Sequence, residues 1–310
     1  MNTKMEKNIL LPISIIISSV LLSGSWIYTT GLNAARNVEP NIKSKESTLL
    51  PDAVELPVVW GTIGAELVKT GVIDEDKFSA IYKERGAFTG DYQKLLTGQN
   101  NGKLKMTQAN AGYLLNLFWA LGLGNKNQIL EGGEMANPAY GGPANFASTG
   151  GWTIAKGDPM DHYSRHSFVT LTPAQQLLVD KVSLGIYRPC CGNSTHFPDC
   201  NHGMAMLGLL ELMASQGVSE SDMWKTALAV NTFWFPDNYR TIRTYMKQKG
   251  VEWKDVNPQD ILGEDYSSAS GYARIASQVN SEGNEPSGSE CGVDTGEPAP
   301  TQKQQSGCGI

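Results

Sequence analysis

Residues 188–216 read RPCCGNSTHFPDCNHGMAMLGLLELMASQ. The first half is a turn-rich loop. The second, residues 204–216, carries apolar side chains nearly all the way round a helical wheel. A helix without a polar stripe has no face to give to water, so it belongs in a core. Its only charge is Glu211, expected to reach the surface because buried acids are rare. This stretch predicts a helical protein built round a buried helix, with a Cys- and His-bearing loop at that helix's N-terminus.

The flanking sequence is also mostly helical in pattern. A helix over residues 58–69 is expected to end at Gly71, and one over 75–85 at Gly86. Thr107 is a cap for the apolar run at 113–123. Thr172-Pro173-Ala174-Gln175 forms a capping box with Pro at the first helical position, opening a helix to Ile186. Ser219 and Asp222 open another through Phe235, and Pro236 starts a further one that Gly250 ends. Residues 167–171 give the best strand signal. Residues 124–157 form a long Gly/Asn/Pro-rich loop. The expectation is a mainly α chain with a single globular helical domain.

The chain has 310 residues and a net charge of -6; 40% of it is hydrophobic and 18% charged. That supports a core and excludes wholesale disorder. Mild acidity gives no reason to expect a nucleic-acid partner. Residues 9–32 hold no charge, a length that spans a bilayer with some tilt. They predict a transmembrane signal-anchor or a cleaved signal peptide, with the polar residues 1–8 in the cytoplasm. The membrane is thus an expected partner through one N-terminal helix: a single-pass cell-membrane protein, the bulk of its chain extracytoplasmic. A polar linker over 33–56, a helical domain over 57–275 and a disordered acidic tail over 276–310 complete the expected organisation. Cys291 and Cys308 lie in that tail.

The chain has 5 cysteines and 4 histidines. Seven of these nine fall between His162 and His202, where uniform scatter would put about one; such a concentration of soft and borderline ligands suits a transition metal. Asp158, Pro159 and Asp161 read as the start of a short helix that would set His162 and His166 at i and i+4 on one face. Cys190, Cys191, Cys200 and His202 follow in the loop. At the N-terminus of a helix Cys200 meets the positive end of the dipole, which favours its thiolate. The candidate metal ligands are therefore His162, His166, Cys190, Cys191, Cys200 and His202, with zinc or copper as the ion. Two other readings of the same residues stand beside this one. One is a thiol-dependent enzyme or redox protein centred on Cys200; the other is an interaction domain stapled by a disulfide from Cys190 or Cys191 to Cys200. H-E-x-x-H, C-x-x-C and nucleotide-loop patterns are absent.

Overall fold

Leu56, Val58 and Trp60 are buried while Glu55, Pro57 and Val59 are not, the two-residue period of a strand. They lie in β1 (Ala53–Gly61), so the helix expected from residue 58 begins only at α1 (Ile63–Thr70). Alternation of large inward side chains decides against helix over 58–61. The structure, a computed structural model, describes residues 51–279. The expected anchor, the tail beyond Val279, Cys291 and Cys308, and all but the last residues of the expected linker lie outside them.

Asp74 caps α2 (Glu75–Glu84) by accepting from the backbone N–H of Asp76 and Lys77. Thr89 caps α3 (Gly90–Thr97) in the same way. β2 (Asn101–Thr107) then pairs antiparallel with β1, Val54 opposite Met106. The register shifts between Glu55 and Val59, where Pro57 has no N–H to give the ladder. Thr107 thus ends a strand instead of capping a helix, and α4 (Ala111–Gly124) starts after Asn110.

The stretch from 124 to 157 is broken into short helical turns. α5 (Gln128–Gly132) is followed by 3-10 turns at Glu134–Ala136, Pro138–Tyr140 and Pro143–Asn145, then by α6 (Ala147–Gly150). Asn127 and Asn137 supply caps, and Met135 and Trp152 anchor the turns in the core. Residues 167–171 form no strand. The Asn125 side chain, not a neighbouring strand, accepts from Val169 N at 3.0 Å.

α7 (Pro173–Leu184) opens on the Thr172–Gln175 capping box. α8 (Asn201–Ser215) is the buried helix. α9 (Glu220–Trp234) starts at Ser219, and α10 (Pro236–Gln248) follows directly. The short α11 (Pro258–Leu262) and α12 (Glu264–Ser267) lead into α13 (Ala269–Gln278). The described domain is mainly helical with one two-stranded sheet. Among the described residues, no helix is long and apolar enough to cross a membrane.

α4 and α8 are buried on nearly every side and form the centre. They cross at Gly122 and Gly208. A Cβ on Gly208 would sit 2.4 Å from the Phe118 carbonyl, and one on Gly122 would clash with Met204 O. Only glycine lets the backbones approach so closely. At one end of the pair, the His202 ring lies 5.9 Å from that of Trp234, whose indole donates to Ala111 O at the start of α4. At the other, Glu211 accepts from Asn125 Nδ2 at 3.1 Å and Asn127 Nδ2 at 2.5 Å, just past the end of α4. The two helices therefore run in the same direction, and their N-termini share one end of the domain.

Glu211 is fully buried rather than surface-reaching. Two side-chain amides replace the water it loses, and their oxygens are committed elsewhere, to Val169 N and to Ile129 N. Burial pushes its carboxyl well above the usual range, with the two amide bonds pulling back. A raised pKa in the folded state means that stability is greatest below the unfolded carboxyl value and declines as pH rises through the folded one. Urea unfolding across pH should show wild type losing stability relative to Glu211→Gln as pH climbs out of the acid range. A pH-independent difference would contradict this account of Glu211.

Candidate metal centre

Between Arg188 and Gly203 only Arg188 and Asp199 carry formal charge. Both are buried, and the Arg188 Nη2 to Asp199 Oδ1 distance is 2.5 Å. The guanidinium spends its other donors on the loop itself. Nη1 donates to Asn193 O at 3.0 Å, Nη2 to Phe197 O at 3.1 Å, and Nε to Cys200 Sγ at 3.0 Å. Asp199 also accepts from Asn193 Nδ2 at 2.8 Å. One buried cation thus folds residues 188–200 round itself. Gly203 leaves room for it, since a Cβ there would be 2.6 Å from the guanidinium carbon. The loop is tied outward by Tyr187 N to Leu262 O, Ala269 N to Cys191 O, and Ser148 N to Asp199 O.

This frame gathers the sulfurs. Cys200 Sγ lies 3.6 Å from Cys190 Sγ and 3.9 Å from Cys191 Sγ, and Cys190 Sγ is 3.9 Å from His202 Nδ1. Cys200 is the N-cap residue of α8, but its side chain turns to the other thiols instead of capping. The S–S distances far exceed the roughly 2.05 Å of a disulfide bond, and all three are free thiols. Two sets of donor atoms lie within 4.8 Å of one another: Cys190, Cys200 and His202, and Cys191, Asp199 and Cys200. A tetrahedral ion held at about 2.3 Å from sulfur and 2.0–2.1 Å from nitrogen has edges of about 3.6–3.8 Å. In the first set Cys190 Sγ lies close to those spacings from both Cys200 Sγ and His202 Nδ1. In the second, Asp199 is already occupied by Arg188 and Asn193.

Protonation follows the same geometry. Burial opposes a charge on Cys200, but thiol hydrogen bonds from Cys190 and Cys191, the Arg188 charge and His202 together hold it well below the usual thiol range. Cys190, bonded to Cys191 and Cys200, is pushed well up. Cys191 is pushed up to about 12. The shifts point to Cys200 as the sulfur that ionises first, with Arg188 Nε donating to it and the Cys190 and Cys191 sulfurs within hydrogen-bonding distance. His202 is nearly sealed, with the Phe235 ring 4.4 Å away, whereas Cys190 is partly open to solvent.

The structure brings Cys190, Cys191, Cys200 and His202 together, and places His162 and His166 elsewhere. The backbone N–H of His166 donates to Gly124 O, at the C-terminal end of α4. Glu211 marks that end, and it lies eleven residues along α8 from Cys200, about 16 Å at 1.5 Å per residue. The six-residue candidate set therefore divides into four and two. The Asp158 capping box forms as read, but the turn stops at Asp161 and no longer helix carries the pair. His196 enters neither group. Arg188 and Asp199 were not singled out as site residues. The signal for them was two opposite charges alone in an otherwise uncharged loop, which burial obliges to pair.

The chain matches no protein-family model, no curated protein and no solved structure.

With metal absent, a pH titration of ultraviolet thiolate absorbance should find one thiolate persisting below the ordinary thiol range. It should vanish in Cys200→Ser and move up in Arg188→Gln, which also loses about 3–5 kcal/mol by orphaning buried Asp199. The depressed pKa makes the thiolate's contribution to stability disappear as pH falls through the folded Cys200 value. Wild type without thiolate at neutral pH would overturn this assignment.

Proposed function

We propose that the protein is a metal-binding protein whose centre, Cys190, Cys200 and His202 with Cys191 adjacent, holds zinc or monovalent copper. The observation that carries this reading is the set of 3.6–3.9 Å spacings between donor atoms in a loop already folded round Arg188. Both ions take mixed thiolate and imidazole ligands. Arg188 and Asp199 offset each other, so the Cys200 thiolate leaves the buried centre one negative charge in excess, which a cation neutralises. The uncharged run at residues 9–32 supports a membrane-anchored, extracytoplasmic setting for this domain.

A second reading is supported by the same thiolate. Cys190 and Cys200 are near enough to reduce an external disulfide: Cys190, the open thiol, passes its proton to the Cys200 thiolate as it attacks, releasing one external thiolate, and Cys200 then gives that proton to solvent and attacks Cys190 Sγ, releasing the second and leaving a Cys190–Cys200 disulfide. Elemental analysis and mass spectrometry of protein purified without and with reductant separate the two readings. The metal reading expects reduced wild type to hold one equivalent of zinc or copper more than Cys200→Ser, with that equivalent weakened at least tenfold in His202→Ala. Reduced wild type with no more metal than Cys200→Ser would overturn it, and a Cys190–Cys200 disulfide that forms without reductant and opens under mild reductant would favour the redox reading.

A further inference from the structure

His162 and His166 form a second cluster of ligating groups, remote from the thiols. His162 Nε2 lies 2.8 Å from Lys156 O. A carbonyl only accepts, so Nε2 carries the proton, and in the neutral ring Nδ1 presents a bare lone pair. That Nδ1 faces His166 Nε2 at 3.2 Å. Two nitrogens bound to one tetrahedral ion at 2.0–2.1 Å would be about 3.3 Å apart. A histidine that gives its other N–H to a backbone carbonyl is also the usual arrangement behind a ligating imidazole.

The backbone is built to make this pair. The 3-10 turn Pro159–Asp161 ends at His162, and Ser164 then takes φ +53, the one non-glycine with positive φ among the described residues. That conformation is unfavourable for a residue with a side chain and persists only where surroundings enforce it. Here Ser164 N donates to Leu123 O, while its Oγ accepts from Asn127 N. The reversal at Ser164 returns His166 to His162. Phe168 lies against the second ring at 5.2 Å between centroids. Gly71, with φ +85, brings its chain close to His162 Cε1 and accepts from Lys156 N, fixing the carbonyl that orients the ring. Burial, then the neighbouring His162, lowers the pKa of His166. His162 is buried but His166 is half-exposed, so solvent or an exogenous ligand has access to the remaining coordination positions.

We infer that His162 Nδ1 and His166 Nε2 chelate a borderline divalent cation (zinc, nickel or cobalt) at an open site separate from the cysteine centre. When the ion binds, His166 Nε2 gives up its proton and Nδ1 takes one from solvent, so the ring stays neutral, and no thiolate takes part. The site is independent of the proposed thiolate centre and stands if that centre fails.

Cobalt(II) titration of the reduced full chain, followed by absorption, reads both sites. Thiolate coordination adds a near-ultraviolet charge-transfer band, and imidazole coordination adds only weak visible bands. Wild type should bind one equivalent more than His166→Phe, and that extra equivalent should bring no charge-transfer intensity. Cys190→Ser should lose the charge-transfer band and keep the extra equivalent. Thermal melting without metal checks that His166→Phe, a change at a half-exposed side chain, remains folded. Equal cobalt stoichiometry in wild type and a folded His166→Phe overturns the inference and leaves the pair as a hydrogen bond closing a turn. Loss of the charge-transfer band alone, in wild type, would instead count against the thiolate centre.

Discussion

A guanidinium with no water must find its hydrogen-bond partners in the protein, and Arg188 finds them in one loop. Its bonds to Asp199, Asn193 O, Phe197 O and Cys200 Sγ close residues 188–200 round a single buried charge. Breaking such an arrangement from one side leaves an uncompensated charge, which costs several kcal/mol. The same bonds decide chemistry. They set Cys200 at the start of α8 beside Cys190 and Cys191, and against burial those two thiols, then the Arg188 charge, hold the Cys200 pKa well below the usual thiol range. The Cys and His side chains are gathered without an ion, because the arginine already folds their loop.

The loop is placed in turn by the α4–α8 pair. Gly122 and Gly208 allow backbone contact at the crossing, and the apolar surfaces of both helices are removed from water on nearly every side. Contacts at the two ends of the pair then differ in kind. His202 meets Trp234 and Phe235 at the thiol end, while Glu211 meets Asn125 and Asn127 at the other. The His162–His166 turn hangs from the Glu211 end through Leu123 O and Gly124 O. Two groups of ligating residues close in sequence are thereby separated by most of the length of a helix.

Much of this was legible in the sequence where the cause is local. The Thr172 and Asp158 capping boxes, the start at Ser219 and the all-apolar character of α8 each follow from residues within one or two turns of one another. The gathering of Cys190, Cys191, Cys200 and His202 was legible too, since they occupy one short loop. What failed depends on distant partners. Residues 58–61 are strand because residues 101–103 pair with them. Residues 167–171 are not strand because Asn125 takes the hydrogen bond that a neighbouring strand would have made. Glu211 is buried because two asparagines beyond the end of α4 reach it. His162 and His166 meet through a left-handed serine, not a helix face, and spacing alone does not say which chain reversal will bring two rings together.

The central claim is that Cys190, Cys200 and His202 share one ion. X-ray absorption at the metal edge of zinc- or copper-loaded reduced protein tests it most directly, because it reports which elements surround the ion. The account predicts a shell of at least two sulfurs at about 2.3 Å together with imidazole nitrogen, and its loss in Cys200→Ser. A shell made only of nitrogen and oxygen in the wild-type protein would contradict it.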